Sequence, residues 1–226
     1  MLLRRLGRPF RVVRSTYRES FRRGEPPSAA AMRNAAGKAA AAVLPRGGAP
    51  GIVLGADTFL YFRGRLIGKP SSMREARRML RALAGRSHWV YTGLCLIDTA
   101  ARRRRVSYAR TRVSFRPLSD AQIARLLPRM RPLDKAGAYA LQEDEGELVA
   151  RIEGSRTNVV GLPLALLRRE LAGLGIDIWS ACCSMPTKDV TRLFDNRAGQ
   201  AITPVSGHRG FCLPRNRRTG LHVASR

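Results

Sequence analysis

The stretch Ile52-Val53-Leu54-Gly55-Ala56-Asp57-Thr58 decides the fold. Three apolar residues in a row follow the glycine-bearing loop Pro45 to Gly51 and read as a short buried strand. A carboxylate then comes at what reads as the C-terminal end of that strand. In open α/β sheets, ligands gather beyond the carboxyl ends of strands. Asp57 is thus placed to hold a divalent metal or to take a proton from water. Capping a turn is the plainer alternative.

Upstream, Ser28 to Val43 is alanine-rich and helix-forming by propensity. Downstream, Tyr61 to Leu66 turns around Gly64 and leads to Gly68-Lys69-Pro70. Ser72 and Glu75 form a capping box for a helix with Met73, Ala76, Met79, Leu80 and Leu83 on one face, stopped by Gly85. Trp89 to Ile97 reads as a strand. Arg105 to Leu118 reads as a long strand or hairpin arm, with Val106, Tyr108, Val113 and Phe115 as inward candidates. Ser119 and Gln122 cap a further helix bearing Ile123, Leu126 and Leu127. Leu148 to Ile152 is another strand, and Pro163 opens a last helix through Leu171. Strands alternate with helices, so the class is α/β, with a mixed twisted sheet flanked by helices. Periodicity fades after Ile176. Residues 1–176 therefore read as one domain and 177–226 as a C-terminal extension, expected to be poorly ordered. There are no internal repeats.

The chain has 226 residues, 42 Lys plus Arg against 16 Asp plus Glu, and a formal net charge of +26. It is too basic for an acidic tail and, at 44% hydrophobic, too apolar for generic disorder. No apolar run approaches the ~20 residues that span a bilayer. The first ten residues lack the apolar centre of a secretory signal. The arginines are scattered and aromatics make up only 6%, which gives little platform for stacking on single strands. Cys95, Cys182, Cys183 and Cys212 contain no CxxC pair and are expected to be reduced thiols in a cytoplasm. Cys183, His208, Cys212 and His222 match no common zinc spacing.

Two further clusters bear on chemistry. Gly64 to Pro70 resembles a phosphate-binding G-x-x-x-x-G-K-[ST] loop but fails it, because the glycine spacing is one short and Pro70 replaces the hydroxyl. Lys69 on that stiffened turn can still aim an ammonium at a phosphate. Asp134-Lys135-Ala136-Gly137-Ala138-Tyr139-Ala140-Leu141-Gln142 joins opposite charges, small residues and an amide able to read a base edge. Only four bases are lysine: Lys38, Lys69, Lys135 and Lys188. A compact ammonium differs from a planar guanidinium fork. Lysine retained in an arginine-dominated chain therefore hints at a role, and three of the four fall in or near these clusters or in Gly37-Lys38-Ala39.

Taken in order, several segments resemble the Maf family of septum-formation-inhibitor-like nucleotide pyrophosphatases. They are Gly55-Ala56-Asp57-Thr58, Gly68-Lys69-Pro70, Leu83 to His88, Tyr91-Thr92-Gly93, Thr111 to Phe115, Asp134 to Tyr139 with Gln142, Ile152-Glu153-Gly154 and Asn158 to Leu164. The resemblance runs from about Leu2 to Gly175. It implies a central nucleotide cleft and hydrolysis of a nucleoside triphosphate between the α and β phosphates, with a divalent cation, Mg²⁺ or Mn²⁺. It implies Asp57 as the acidic catalytic residue or a metal ligand and Glu19 as a second acid near the metal. Lys38 and Lys69 are its phosphate-facing lysines, and Thr58 and Gln142 are tied to base selection. The Asp134 to Tyr139 form with Gln142 looks like the dTTP/UTP-preferring branch.

The resemblance departs at the start. Leu2-Leu3-Arg4-Arg5-Leu6-Gly7 resembles the helix that follows the family's opening strand and S-x-S-P-R-R loop. The chain is accordingly expected to lack that strand and that anion clamp. Alternative readings are a catalytically degenerate member that only binds, and a basic nucleic-acid-binding protein. The expected partner is a nucleoside triphosphate, with no membrane and no nucleic acid, and a homodimer stays open.

Overall fold

A computed structural model describes residues 2–3, 10–43, 51–177 and 220–225. In chain order the elements are β1 (Phe10–Arg14), α1 (Pro27–Ala41), β2 (Gly51–Phe62), β3 (Arg65–Ile67), α2 (Met73–Leu83), β4 (Ser87–Asp98), β5 (Arg103–Phe115), α3 (Asp120–Leu126), β6 (Val149–Glu153), α4 (Arg156–Val159), α5 (Leu164–Ala172) and β7 (Gly220–Ser225). Short 3-10 turns fill Leu127 to Glu143 between α3 and β6. The strands form one seven-stranded sheet in the order β1-β7-β2-β4-β5-β6, with β3 hairpinned onto β2. β1, β7 and β2 run parallel, and the pairs from β2 to β6 are antiparallel. The expected mixed α/β class is what the chain adopts.

β2 runs five residues past Asp57, so the carboxylate is in mid-strand and not at a strand end. Phe59 and Leu60 explain the extension: both are buried and continue the ladder with β4. The pleat then sorts the strand by parity. Val53, Gly55, Asp57 and Phe59 face α1, while Ile52 and Leu54 pack with Leu167 and Leu171 of α5 on the opposite face.

Contact between α1 and the sheet is unusually close because both sides are small. Ala31, Ala35 and Ala39 are fully buried. A Cβ at Gly55 would lie 2.3 Å from the Ala35 carbonyl oxygen, and one at Gly93 would lie 2.0 Å from that of Ala31. Gly37 in turn leaves room for the Tyr17 ring on the outer side of α1.

Ser119 and Gln122 make the reciprocal capping box expected of α3. At α2 only half of the expected box forms. Ser72 accepts from the Glu75 amide, but the Glu75 carboxylate takes the amide and hydroxyl of Ser71. In β5, Val113 and Phe115 are buried on one face and Val106 packs beside Val53 and Cys95 on the other, whereas Tyr108, on the same face as Val106, is exposed and stacks on Tyr91.

The segment 177–226 divides. Residues 178–219, with Lys188, Cys182, Cys183, His208 and Cys212, lie outside the described residues, as do Arg4 and Arg5. Residues 220–225 are β7, inside the sheet between β1 and β2. Cys95 is a buried thiol, pushed up to about 11 by burial.

His88 is buried between Phe115 and Tyr139, with Nε2 3.0 Å from the Tyr139 hydroxyl. Burial holds its pKa down at about 4. Its neutral form therefore contributes stability that is complete above the unfolded value near 6.5 and is lost as pH falls toward 4. Urea unfolding at pH 7 and pH 5 should show a loss of about 1–2 kcal/mol that His88→Gln largely removes. Gly93→Ala should destabilise by about 3 kcal/mol in the same assay, since backbone, not a flexible side chain, blocks the new methyl.

Candidate functional site

The seam between α1 and β2 delivers two side chains to Asp57. Asn34 and Lys38 are four residues apart and share the sheet-facing side of α1. Lys38 Nζ lies 2.6 Å from Asp57 Oδ1 and 2.7 Å from Glu19 Oε1. Asn34 Nδ2 donates to Asp57 Oδ2 at 2.9 Å. Both Asp57 oxygens are thus engaged, and Asp57, Asn34 and Lys38 are all buried.

The segment that carries Glu19 is fastened to α1 from the other side. Ser15 donates its hydroxyl to the Lys38 carbonyl at 3.4 Å, and Tyr17 donates to Asn34 Oδ1 at 3.3 Å. Arg33 makes a two-pronged contact with Glu25, at 2.9 and 2.7 Å, and donates to the Ser20 carbonyl. That pairing holds Glu25 below the usual carboxylate range.

Two carboxylates and one ammonium leave a formal excess of one negative charge at this point. The donor chemistry suits a hard dication, which binds through one or two carboxylates and takes its other ligands from water or phosphate oxygens. Among the described residues no group of three or more His, Cys, Asp or Glu side chains stands ready to hold a metal unaided. A cation here would therefore complete its shell with water or with a bound anion.

Of the residues singled out in the sequence, Asp57, Glu19 and Lys38 meet. Thr58 does not join them. Parity turns it to the opposite face of β2, where Oγ1 lies 2.9 Å from Thr92 Oγ1 and 3.5 Å from the Gly161 carbonyl. Buried Asn158 completes this second network by donating to Thr111 Oγ1 and to the Val90 carbonyl. Lys69 is exposed on its turn, where the Gly68 carbonyl accepts from Gly137 N–H at 3.0 Å. Lys69 therefore neighbours the Asp134–Lys135 ion pair and adds to the charge that holds Asp134 low. Gln142 is exposed on the 3-10 turn Leu141–Glu143.

Asn34 was not visible in the sequence, where it is one polar residue in an alanine helix. Its only signal is the i, i+4 spacing to Lys38, and that becomes informative once the sheet-facing side of α1 is known.

A buried ion pair is costly to break from one side only. Lys38→Met should destabilise by about 3–5 kcal/mol, because it strands the Asp57 carboxylate. Lys38→Met with Asp57→Asn should recover much of that loss. A double-mutant cycle in urea reads the coupling, and additive losses would mean the pair does not interact.

The family profile described as Maf-like protein matches residues 1–174. A protein of Moorella thermoacetica named dTTP/UTP pyrophosphatase is 45% identical over 178 residues, which cover 79% of this chain and 91% of that protein. One of the same name from Pelotomaculum thermopropionicum is 40% identical, covering 78% and 92%. A Synechococcus protein named nucleoside triphosphate pyrophosphatase is 42% identical, covering 76% and 87%. A family profile matched over residues 1–174, with relatives 40–45% identical along nearly all of their length, places this chain in the Maf-like protein family.

Proposed function

We propose that the protein hydrolyses dTTP and UTP between the α and β phosphates, releasing the nucleoside monophosphate and pyrophosphate. The observation that carries this is the buried convergence of Lys38 and Asp57 with Glu19, in a chain 45% identical to a protein named dTTP/UTP pyrophosphatase. Cleavage of a phosphoanhydride depends mainly on positioning and on neutralising charge, with little covalent help from the protein.

In this reading Asp57 accepts a proton from the attacking water or shares a metal with Glu19. A divalent cation, Mg²⁺ or Mn²⁺, when bound, supplies Lewis-acid stabilisation of the phosphate oxygens. Lys38 lies between the two carboxylates and can lend its ammonium to the triphosphate. Asn34 keeps Asp57 in one orientation by donating to Oδ2 and leaving Oδ1 toward Lys38. Lys69, on the exposed turn, supplies a second positive charge to the phosphates. Gln142 offers a donor and an acceptor that match the O4 and N3–H edge of thymine or uracil. Thr58 bears on base selection from the other face of β2, through the Thr92 and Gly161 contacts. Among the described residues no helix is long and apolar enough to cross a membrane, and a cytoplasmic setting accords with a nucleotide substrate.

Pyrophosphate release from dTTP, UTP and 7-methyl-GTP with Mg²⁺ or Mn²⁺ tests the proposal. Turnover of the two pyrimidine nucleotides should exceed that of 7-methyl-GTP. Asp57→Asn should lower kcat by at least about 100-fold, within the range that a positioned acid–base group contributes. Absence of turnover on all three nucleotides would sink the enzyme reading. Full activity in Asp57→Asn would remove Asp57 from it.

A further inference from the structure

We propose that residues 220–225 are part of the machinery of the site: an inserted strand, supplied from far along the chain, that holds the Glu19 segment against Asp57. Among the described residues β1 pairs with β7 alone, from Phe10↔Leu221 to Arg14↔Ser225. β7 pairs on its other edge with β2, from Gly51↔Gly220 to Gly55↔Ala224. All three strands run in the same direction, toward the site. Ser15 follows directly on β1, and Asp57 lies two residues past Gly55. Neighbouring strands stand about 4.8 Å apart, so β1 lies roughly 10 Å from β2 with β7 as the spacer.

β1 has little hold of its own. Val12 is half exposed and Arg11 is exposed, while Phe10 and Val13 are only partly buried. β7, by contrast, is anchored on both edges and through Val223, which is buried with Ile52, Leu54, Leu167 and Leu171. Without β7, β1 would lose its ladder, and the Ser15 to Glu25 segment would keep only its contacts to α1 and the packing of Phe21 against Phe59 of β2. Glu19 reaches Lys38 from that segment. β7 is therefore a positioning element that acts through Glu19.

The role of β7 rests on the proposed activity only where turnover is the readout, and hydrogen exchange tests it without that assumption. In the full chain, Val223→Pro removes a backbone donor from the middle of a two-sided strand. Expected is loss of amide protection over residues 10–14, with protection of β4 and β5 retained. If the wild-type chain turns over dTTP, Val223→Pro should lower kcat/KM about 100-fold. Adding Glu19→Gln to it should then cost little more, because Glu19 is already displaced. Unchanged protection of residues 10–14, or losses from the two substitutions that multiply, would overturn the proposal.

Should Val223→Pro not fold, a protease site placed within 178–219 and cut under native conditions decides. Retention of the C-terminal fragment on gel filtration, with residues 10–14 still protected, supports the inserted strand. So does its release with loss of that protection, restored by adding a synthetic 216–226 peptide. Release with protection intact would overturn it. A wild-type chain that protects β1 through β7 but shows no turnover would refute the proposed activity and leave the strand assignment standing.

Discussion

The site depends on how closely one helix can lie on the sheet. Gly55 and Gly93 present bare backbone to α1, and α1 answers with Ala31, Ala35 and Ala39. Dispersion between many small, well-fitted atoms replaces the large side chains that usually separate a helix from a sheet. The gain for chemistry is reach. A lysine and an asparagine one turn apart can meet an aspartate in the middle of a strand, where water is excluded. Any wider spacing would lengthen each of those contacts, and with them the separation of Lys38 from both carboxylates.

The cluster is not best seen as a source of stability. Desolvating an ion pair offsets most of its Coulombic attraction, and an apolar replacement of similar size is often neutral or better. Its presence among the alanines, aliphatic residues and aromatic rings packed between α1 and the sheet is more readily explained by what the groups do. The large arginine surplus lies elsewhere. Arg125 and Arg129 pair with Glu147, and Arg151 with Glu153, at exposed positions. Such contacts are screened and each contributes little. Total charge thus says less about this protein than one buried ammonium.

Much of the frame was legible in the sequence, because local signals and tertiary demands agreed. The α2 and α3 starts follow from Ser72 and Ser119, the β2–β3 turn from Gly64, and the alternation of elements from simple periodicity. Lysine scarcity led to Lys38, although Lys69 lies on an exposed turn and Lys135 pairs with Asp134, so neither joins the contacts of Asp57. Three features were not legible. Asp57 seemed to end a strand, since the small residues around it break the apolar run that signals burial. Thr58 seemed to accompany Asp57, yet adjacent residues in a strand face opposite ways. β7 was hidden because Gly220 to Ser225 is six residues with no turn signal tying it to its partners, which lie far away in sequence.

The parallel trio of β1, β7 and β2 also has a consequence in time. A ribosome makes the chain from its N-terminus at about 5–20 residues per second. β1 and β2 emerge early, but the strand that joins them emerges only when synthesis reaches residue 225. Until then β1 and the neighbouring edge of β2 are both unpaired along the slot that β7 fills, and such edges invite pairing with the wrong chain. The high sequence separation of these contacts also slows closure after release, since loop entropy must be overcome before the ladder forms. Of everything described here, the placement of β7 makes the nascent chain most dependent on protection before it is complete.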